Sequence, residues 1–206
     1  MNREVELRCR CGEVRGKVTN ASPATANHMI CYCDDCQAYL HYLGRTDLLD
    51  AHAGTEVVQV APASVQFEQG IDRIVGLRLR PKGLYRWYAS CCKTPVGNTV
   101  TPSIPFVGIV VQAFESPDEA FGKCIGAVQG KYATGTAPKG STDLNLGLIF
   151  RALRMILGWR LGGKAWPHPF FDRATRAPSR PVTVLSRAER DALRPLCGPH
   201  PTAVRA

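Results

Sequence analysis

The sequence predicts a mainly β protein with a helical segment added at its C-terminal end. Three observations carry this. Short apolar runs with a two-residue period recur through the first 115 residues, Gly and Pro mark turns between them, and the spacing turns helical after a Gly-, Thr-, Ser- and Pro-rich stretch at 130–142. Val5 and Leu7 alternate with charged residues, and Val14 and Val18 flank Gly16, so residues 3–20 read as a strand pair turned at Gly12. Residues 27–30 lead into a cysteine group, and residues 57–60 and 65–67 read as short strands. Residues 74–80 alternate cleanly, with Ile74, Gly76, Arg78 and Arg80 on one side and Val75, Leu77 and Leu79 on the other. Residues 85–88 run as a strand into Cys91-Cys92, and 104–114 form a further apolar segment with prolines at its start.

Beyond this the pattern changes. Ser116 stands where a helix cap is expected, followed by Pro117, Asp118 and Glu119, which suit a first turn. Residues 144–161 read as a helix. Leu146, Phe150, Leu153 and Leu157 share one face, which is expected to pack on the core or a partner, with contact at a membrane surface as the alternative. Arg151 and Arg154 in mid-helix argue against a membrane span. Ser186 and Glu189 fit a capping box for a short helix ended before Pro195. The chain therefore divides into a β domain at 1–130 and a basic extension with one or two helices at 131–206.

The chain has 206 residues, enough for one generous core, and its 45% hydrophobic and 21% charged content is ordinary for a globular protein. Residues 1–6 lack the apolar core of a signal peptide and no stretch resembles a clean transmembrane segment, so the expected location is cytoplasmic. Residues 141–206 carry 11 Lys and Arg against 4 Asp and Glu, net +7, while the first 140 carry 15 against 13, net +2. The basic end lacks interleaved aromatics and lysine runs, which argues against a nucleic-acid partner and favours a solubility role.

The nine cysteines are the strongest signal. In a reducing compartment, tight clusters of cysteine point to metal ligation or catalysis before disulfides. They fall as Cys9-Arg10-Cys11-Gly12, then Cys31-Tyr32-Cys33-Asp34-Asp35-Cys36, then Cys91-Cys92-Lys93-Thr94-Pro95, with Cys124 and Cys197 standing alone as packing residues. Thiolates suit zinc. Cys31, Cys33 and Cys36 supply three ligands to one ion and leave a fourth position open, as in a catalytic site. Cys9 and Cys11 need two more ligands, for which Cys91 and Cys92 are the obvious donors. Adjacent side chains tend to diverge, so one of that pair is expected to bind and the other to pack. His28 and His41 are alternative fourth ligands for the three-cysteine group, and either would close it. Asp34 or Asp35 stands near enough in sequence to shuttle a proton, and Tyr32, Tyr39, Tyr42 and His41 to line a pocket, although a solvated carboxylate and packing aromatics are the commoner cases.

These motifs resemble the family of glutathione-dependent formaldehyde-activating enzymes and the related centromere protein V domain. That pattern is Cys-x-Cys-Gly, then Cys-His-Cys-x-x-Cys, then Phe-Cys-x-x-Cys-Gly-Thr-Pro. Here the first part is complete. The second carries Tyr32 for His and Gln37 for Arg, and the third places Ala89 where a cysteine belongs, with Cys91 nearby. The resemblance spans about residues 5–125. It implies a mostly β, Mss4-like β-tent fold with two zinc ions, one structural at the first and third motifs and one functional at Cys31, Cys33 and Cys36. It further implies carbon–sulfur lyase-type chemistry on a small thiol–aldehyde adduct, with glutathione as co-substrate. The alternatives are a non-catalytic zinc module that binds a partner through the basic tail, and a redox or metal-buffering role.

Overall fold

A computed structural model describes residues 3–136, 138, 141 and 145–198. The fold is mainly β: one large mixed sheet, one small sheet on its first face, and helical residues in the cores on both faces.

The small sheet joins β1 (Val5–Arg8), β2 (Arg15–Val18) and β5 (Val65–Gln69) in the order β1-β2-β5, all antiparallel. The large sheet comprises β3 (Asn27–Cys31), β4 (Thr55–Val60), β6 (Ile74–Arg78), β7 (Tyr85–Ala89), β8 (Thr94–Thr99), β9 (Val107–Val110), β10 (Ala127–Val128) and β11 (Val182–Val184). Its order is β10-β3-β4-β9-β8-β7-β6-β11, antiparallel except at the two edges, where β10 runs parallel to β3 and β11 parallel to β6. Among the described residues there are four α-helices: α1 (Asp34–Leu43), α2 (Pro117–Phe121), α3 (Leu146–Leu161) and α4 (Arg187–Leu193).

The two-residue period of the strands explains why the large sheet is buried on both faces. In β4, Val58 and Val60 join a core beneath the small sheet, with Val5, Leu7 and Val14, while Val57 joins a second core beneath α1, with Tyr39, Leu40 and Leu43. β7 divides likewise: Trp87 and Ala89 face the first core, Tyr88 the second. In β6, Ile74 and Leu77 fall in opposite cores.

The strands at 3–20, 57–60, 65–67, 74–80 and 85–88 appear where the periodicity predicts, and 104–114 contains β9. Three features differ. Ser116 adopts left-handed backbone, φ 49°, and its side chain caps nothing, so α2 rests on Pro117 and its acids alone. α3 begins at Leu146, directly after Asn145, whose side chain caps it by accepting from the Leu148 N–H; residues 137, 139, 140 and 142–144 lie outside the described residues. The face of Leu146, Phe150, Leu153 and Leu157 is turned to solvent, while the opposite residues Leu148 and Met155 are buried. The Ser186–Glu189 capping box on α4 is present with both bonds made.

The boundary at residue 130 divides composition and not the core. Phe170 and Phe171 belong to the first core, where Phe170 stacks on Trp87 at 4.8 Å and 6°. β11 extends the large sheet, and α4 lies against α1 through two ion pairs from Arg194. Among the described residues no helix is long and apolar enough to cross a membrane.

Candidate metal centres

The first sulfur group forms where two hairpins meet tip to tip. Cys9 directly follows β1, and the chain turns back at Gly12 with φ +80°. In that turn the Gly12 N–H donates to the Cys9 carbonyl, and the Val14 N–H donates to Cys9 Sγ at 3.3 Å. Cys91 and Cys92 lie in the β7–β8 turn, which Lys93 closes in left-handed backbone. Sulfur separations are 3.5 Å for Cys9–Cys11, 3.4 Å for Cys11–Cys91, 3.9 Å for Cys9–Cys91 and 3.9 Å for Cys91–Cys92. Four sulfurs tetrahedrally placed ~2.3 Å from a zinc ion stand roughly 3.8 Å apart. The expected divergence of the adjacent cysteines is absent: the tight turn aims both Cys91 and Cys92 at the group, and all four sulfurs lie within 4.8 Å of one another.

Thr94 knits this group to its surroundings. Its Oγ1 accepts from the Arg10 N–H and from Arg45 Nη1, and lies 3.2 Å from Cys92 Sγ. Burial, which raises the Cys92 pKa, is outweighed by hydrogen bonds from Thr94 and Cys11, leaving it lowered to about 6. At least one member of the group is therefore a thiolate at neutral pH, as a soft metal requires.

The second group sits where β3 hands over to α1. Cys31 ends β3, Cys33 is the N-cap of α1, and Cys36 lies in the first turn. Cys33 Sγ accepts from the Cys36 N–H at 3.3 Å, and Cys31 and Cys36 sulfurs are 3.8 Å apart. The three sulfurs share one 4.8 Å neighbourhood. Hydrogen bonds from Cys31 and Cys33, and then the nearby Arg86 cation, hold Cys36 well below the ordinary thiol range. The positive end of α1 acts in the same direction.

Arg86 is the residue that sequence reasoning missed. It is 1% exposed, its Nη1 lies 3.6 Å from Cys36 Sγ, and its guanidinium lies 5.2 Å from the centroid of the Tyr39 ring. Its Nη2 has no partner. The available signal was a cation inside a strand otherwise made of aromatics, Tyr85-Arg86-Trp87-Tyr88. A cleft of about 500 Å³ opens beside the group, and its wall includes Cys33, Arg78, Arg80, Lys82 and Arg86.

The other candidates fall elsewhere. His28 is buried, with Nε2 2.8 Å from Glu56 and Nδ1 2.6 Å from the Gly122 carbonyl, and belongs to a separate group with Glu56 and Asp118. Neither His28 nor His41 lies among the second group's ligand atoms. Asp34 and Asp35 are not solvated turn carboxylates: Arg194 binds both, at 2.7 and 2.5 Å, and Arg80 binds Asp35 at 3.0 Å. Tyr32 is buried and donates to Asp50, Tyr39 is buried and donates to the Trp87 carbonyl, and Tyr42 is exposed. Gln37 is a tie-point, donating to the Tyr32 and Tyr132 carbonyls and accepting from the Gly198 N–H. Cys124 and Cys197 donate to the backbone carbonyls of Gly126 and Leu193, respectively.

A family model matches residues 1–180, which runs from the first hairpin through both sulfur groups to the Phe170–Phe171 pair. The chain belongs to DUF6151, a family of unknown function. That span crosses residue 130, so the family's unit includes α3 and the Phe170–Phe171 part of the first core. No curated protein matches the chain.

Proposed function

We propose that the protein is a zinc-dependent, carbon–sulfur lyase-type enzyme that acts on a thiol–aldehyde adduct of the glutathione and formaldehyde kind, on a β-tent scaffold. One contrast supports this most. The first sulfur group has four members and clasps two hairpins; the second has three members and borders a basic cleft. Four thiolates close a zinc coordination sphere, whereas three leave a position for substrate. All-sulfur donor sets favour zinc over hard cations.

In this reading Cys9, Cys11, Cys91 and Cys92 hold a structural ion, and Cys31, Cys33 and Cys36 hold the functional one. An ion at the second group supplies a Lewis-acid position at which a thiol ionises near neutral pH. The chain's own residues do the rest. Arg86 offsets the negative charge gathered by three thiolates, and its burial keeps that charge fixed. Lys82, exposed on the cleft wall, and Arg78 attract the carboxylates of a glutathione-like thiol. The substrate sulfur then adds to the aldehyde carbon: a C–S bond forms, the carbonyl π pair moves to oxygen, and the proton shed by the thiol ends on that oxygen. The reverse path returns thiol and aldehyde.

The test is a titration of cobalt-substituted protein with glutathione, followed by visible absorption. Thiol entry is expected to change the spectrum of the wild type and to leave Cys33→Ser unchanged. Interconversion of glutathione and formaldehyde with their S-hydroxymethyl adduct, followed by exchange NMR of the methylene signals, is expected to accelerate with wild-type protein only. A wild-type spectrum indifferent to thiols contradicts the proposal.

A further inference from the structure

α3 presents an apolar stripe to solvent. Leu146, Phe150, Leu153, Leu157 and Leu161 are 68, 70, 60, 56 and 79% exposed, and Ile149 at 38% widens the stripe. These positions recur at helical spacing on one side, so the exposed apolar area is continuous along all 16 residues. The helix is not loosely attached. Leu148 and Met155 are buried on its inner side, Arg151 donates to the Pro23 and Ala26 carbonyls, and Arg160 Nη1 donates to the Ser103 carbonyl at 3.1 Å.

We propose that this face docks on an anionic lipid surface. Charge selects that occupant. From Asn145 to Phe171 the sequence has no Asp or Glu, but it has Arg151, Arg154, Arg160 and Lys164. Arg154 and Arg160 flank the apolar stripe on its two sides, and Lys164 follows its end; all three are exposed. Arg176, from a distant loop, also reaches Ser103, through Oγ at 3.0 Å, so a second cation joins Arg160 at that end of the helix. A second copy of the chain would meet these cations with cations, since α3 offers no acid to pair with them. A lipid surface of acyl chains beneath anionic headgroups matches both the stripe and its margins. At 1.5 Å per residue the helix spans about 24 Å, so it lies in the interface and does not cross.

Flotation of the full-length, zinc-loaded protein with vesicles tests this. Phosphatidylcholine vesicles containing about a third phosphatidylglycerol are compared with phosphatidylcholine alone. The protein is expected to float with the anionic vesicles and not the neutral ones. Phe150→Asp with Leu157→Asp should lower binding by at least about tenfold, and Arg154→Glu with Lys164→Glu should lower it by a similar factor. All four side chains are exposed, so the circular dichroism melt should stay at the wild-type temperature in both variants. Failure of the wild type to float, or equal flotation with neutral vesicles, overturns the proposal. A wild-type dimer in light scattering that Phe150→Asp with Leu157→Asp dissociates also overturns it, and assigns the face to self-association.

Discussion

Arg86 carries a full charge in the interior, and the chain tolerates it because Cys36 lies 3.6 Å away as a thiolate and the Tyr39 ring lies against the guanidinium. In the proposed zinc-bound state, removing the cation leaves the three ligand sulfurs with less compensation. Arg86→Met is therefore expected to weaken zinc at the second group by about 10–100-fold, the usual cost of losing a supporting partner, while the first group keeps its ion. A chelator competition resolving the two ions checks this, and equal weakening of both contradicts it. His168 is a residue-scale case of another kind. Burial, aided by Arg176, lowers its pKa to about 4, against about 6.5 for an unfolded imidazole. Above about pH 6.5 the ring is neutral in both states. Between about 6.5 and about 4 the unfolded chain takes up a proton that the folded chain refuses, so stability falls as pH falls through that window. His168→Asn keeps an acceptor for the Phe170 N–H and is expected to flatten the dependence, read as urea midpoints at pH values on either side of that window.

At the scale of elements, the strands with clear alternation were legible, as was the capping box on α4. Two central elements were not. β8 contains Pro95 and Gly97, which read as breakers, yet it is buried throughout. The sheet accommodates Pro95 at a register shift opposite Trp87 and Tyr88, and Gly97 leaves room for Phe170, whose ring would stand 2.7 Å from any Cβ there. No local pattern announces a partner 73 residues away. α1 was hidden because the cysteine motif reads as a turn, whereas Cys33 acts as its N-cap. Phe170 closes the space left by Gly97 and covers Trp87, so Phe170→Ala should cost about 3–5 kcal/mol in chemical denaturation. A loss under about 1 kcal/mol would show that residues beyond 130 are an appendage after all.

Across the whole molecule, the cysteines were the legible part of the site and their surroundings were not. Spacing alone groups Cys9 with Cys11 and Cys31 with Cys33 and Cys36. That Cys91 and Cys92 both join the first group follows from a turn geometry that sequence does not display. The basic cleft is assembled from Arg78, Arg80, Lys82 and Arg86, of which the alternation pattern places only Arg78 and Arg80 together, on one side of a strand. The end of the chain is equally structural: Arg194 clamps Asp34 and Asp35 at the start of α1, so the tail braces the second sulfur group. The two groups thus have different mechanical positions. The first joins hairpins distant in sequence, and the second hangs on one strand–helix junction already held by Gln37 and Arg194.

Zinc content per chain, measured on freshly purified wild type, Cys33→Ser and Cys11→Ser, tests the central claim most directly. Two sulfur groups predict about two ions in the wild type, about one in Cys33→Ser with the fold retained, and loss of folded protein in Cys11→Ser. A wild-type value near zero, or Cys33→Ser unfolding as readily as Cys11→Ser, would contradict it.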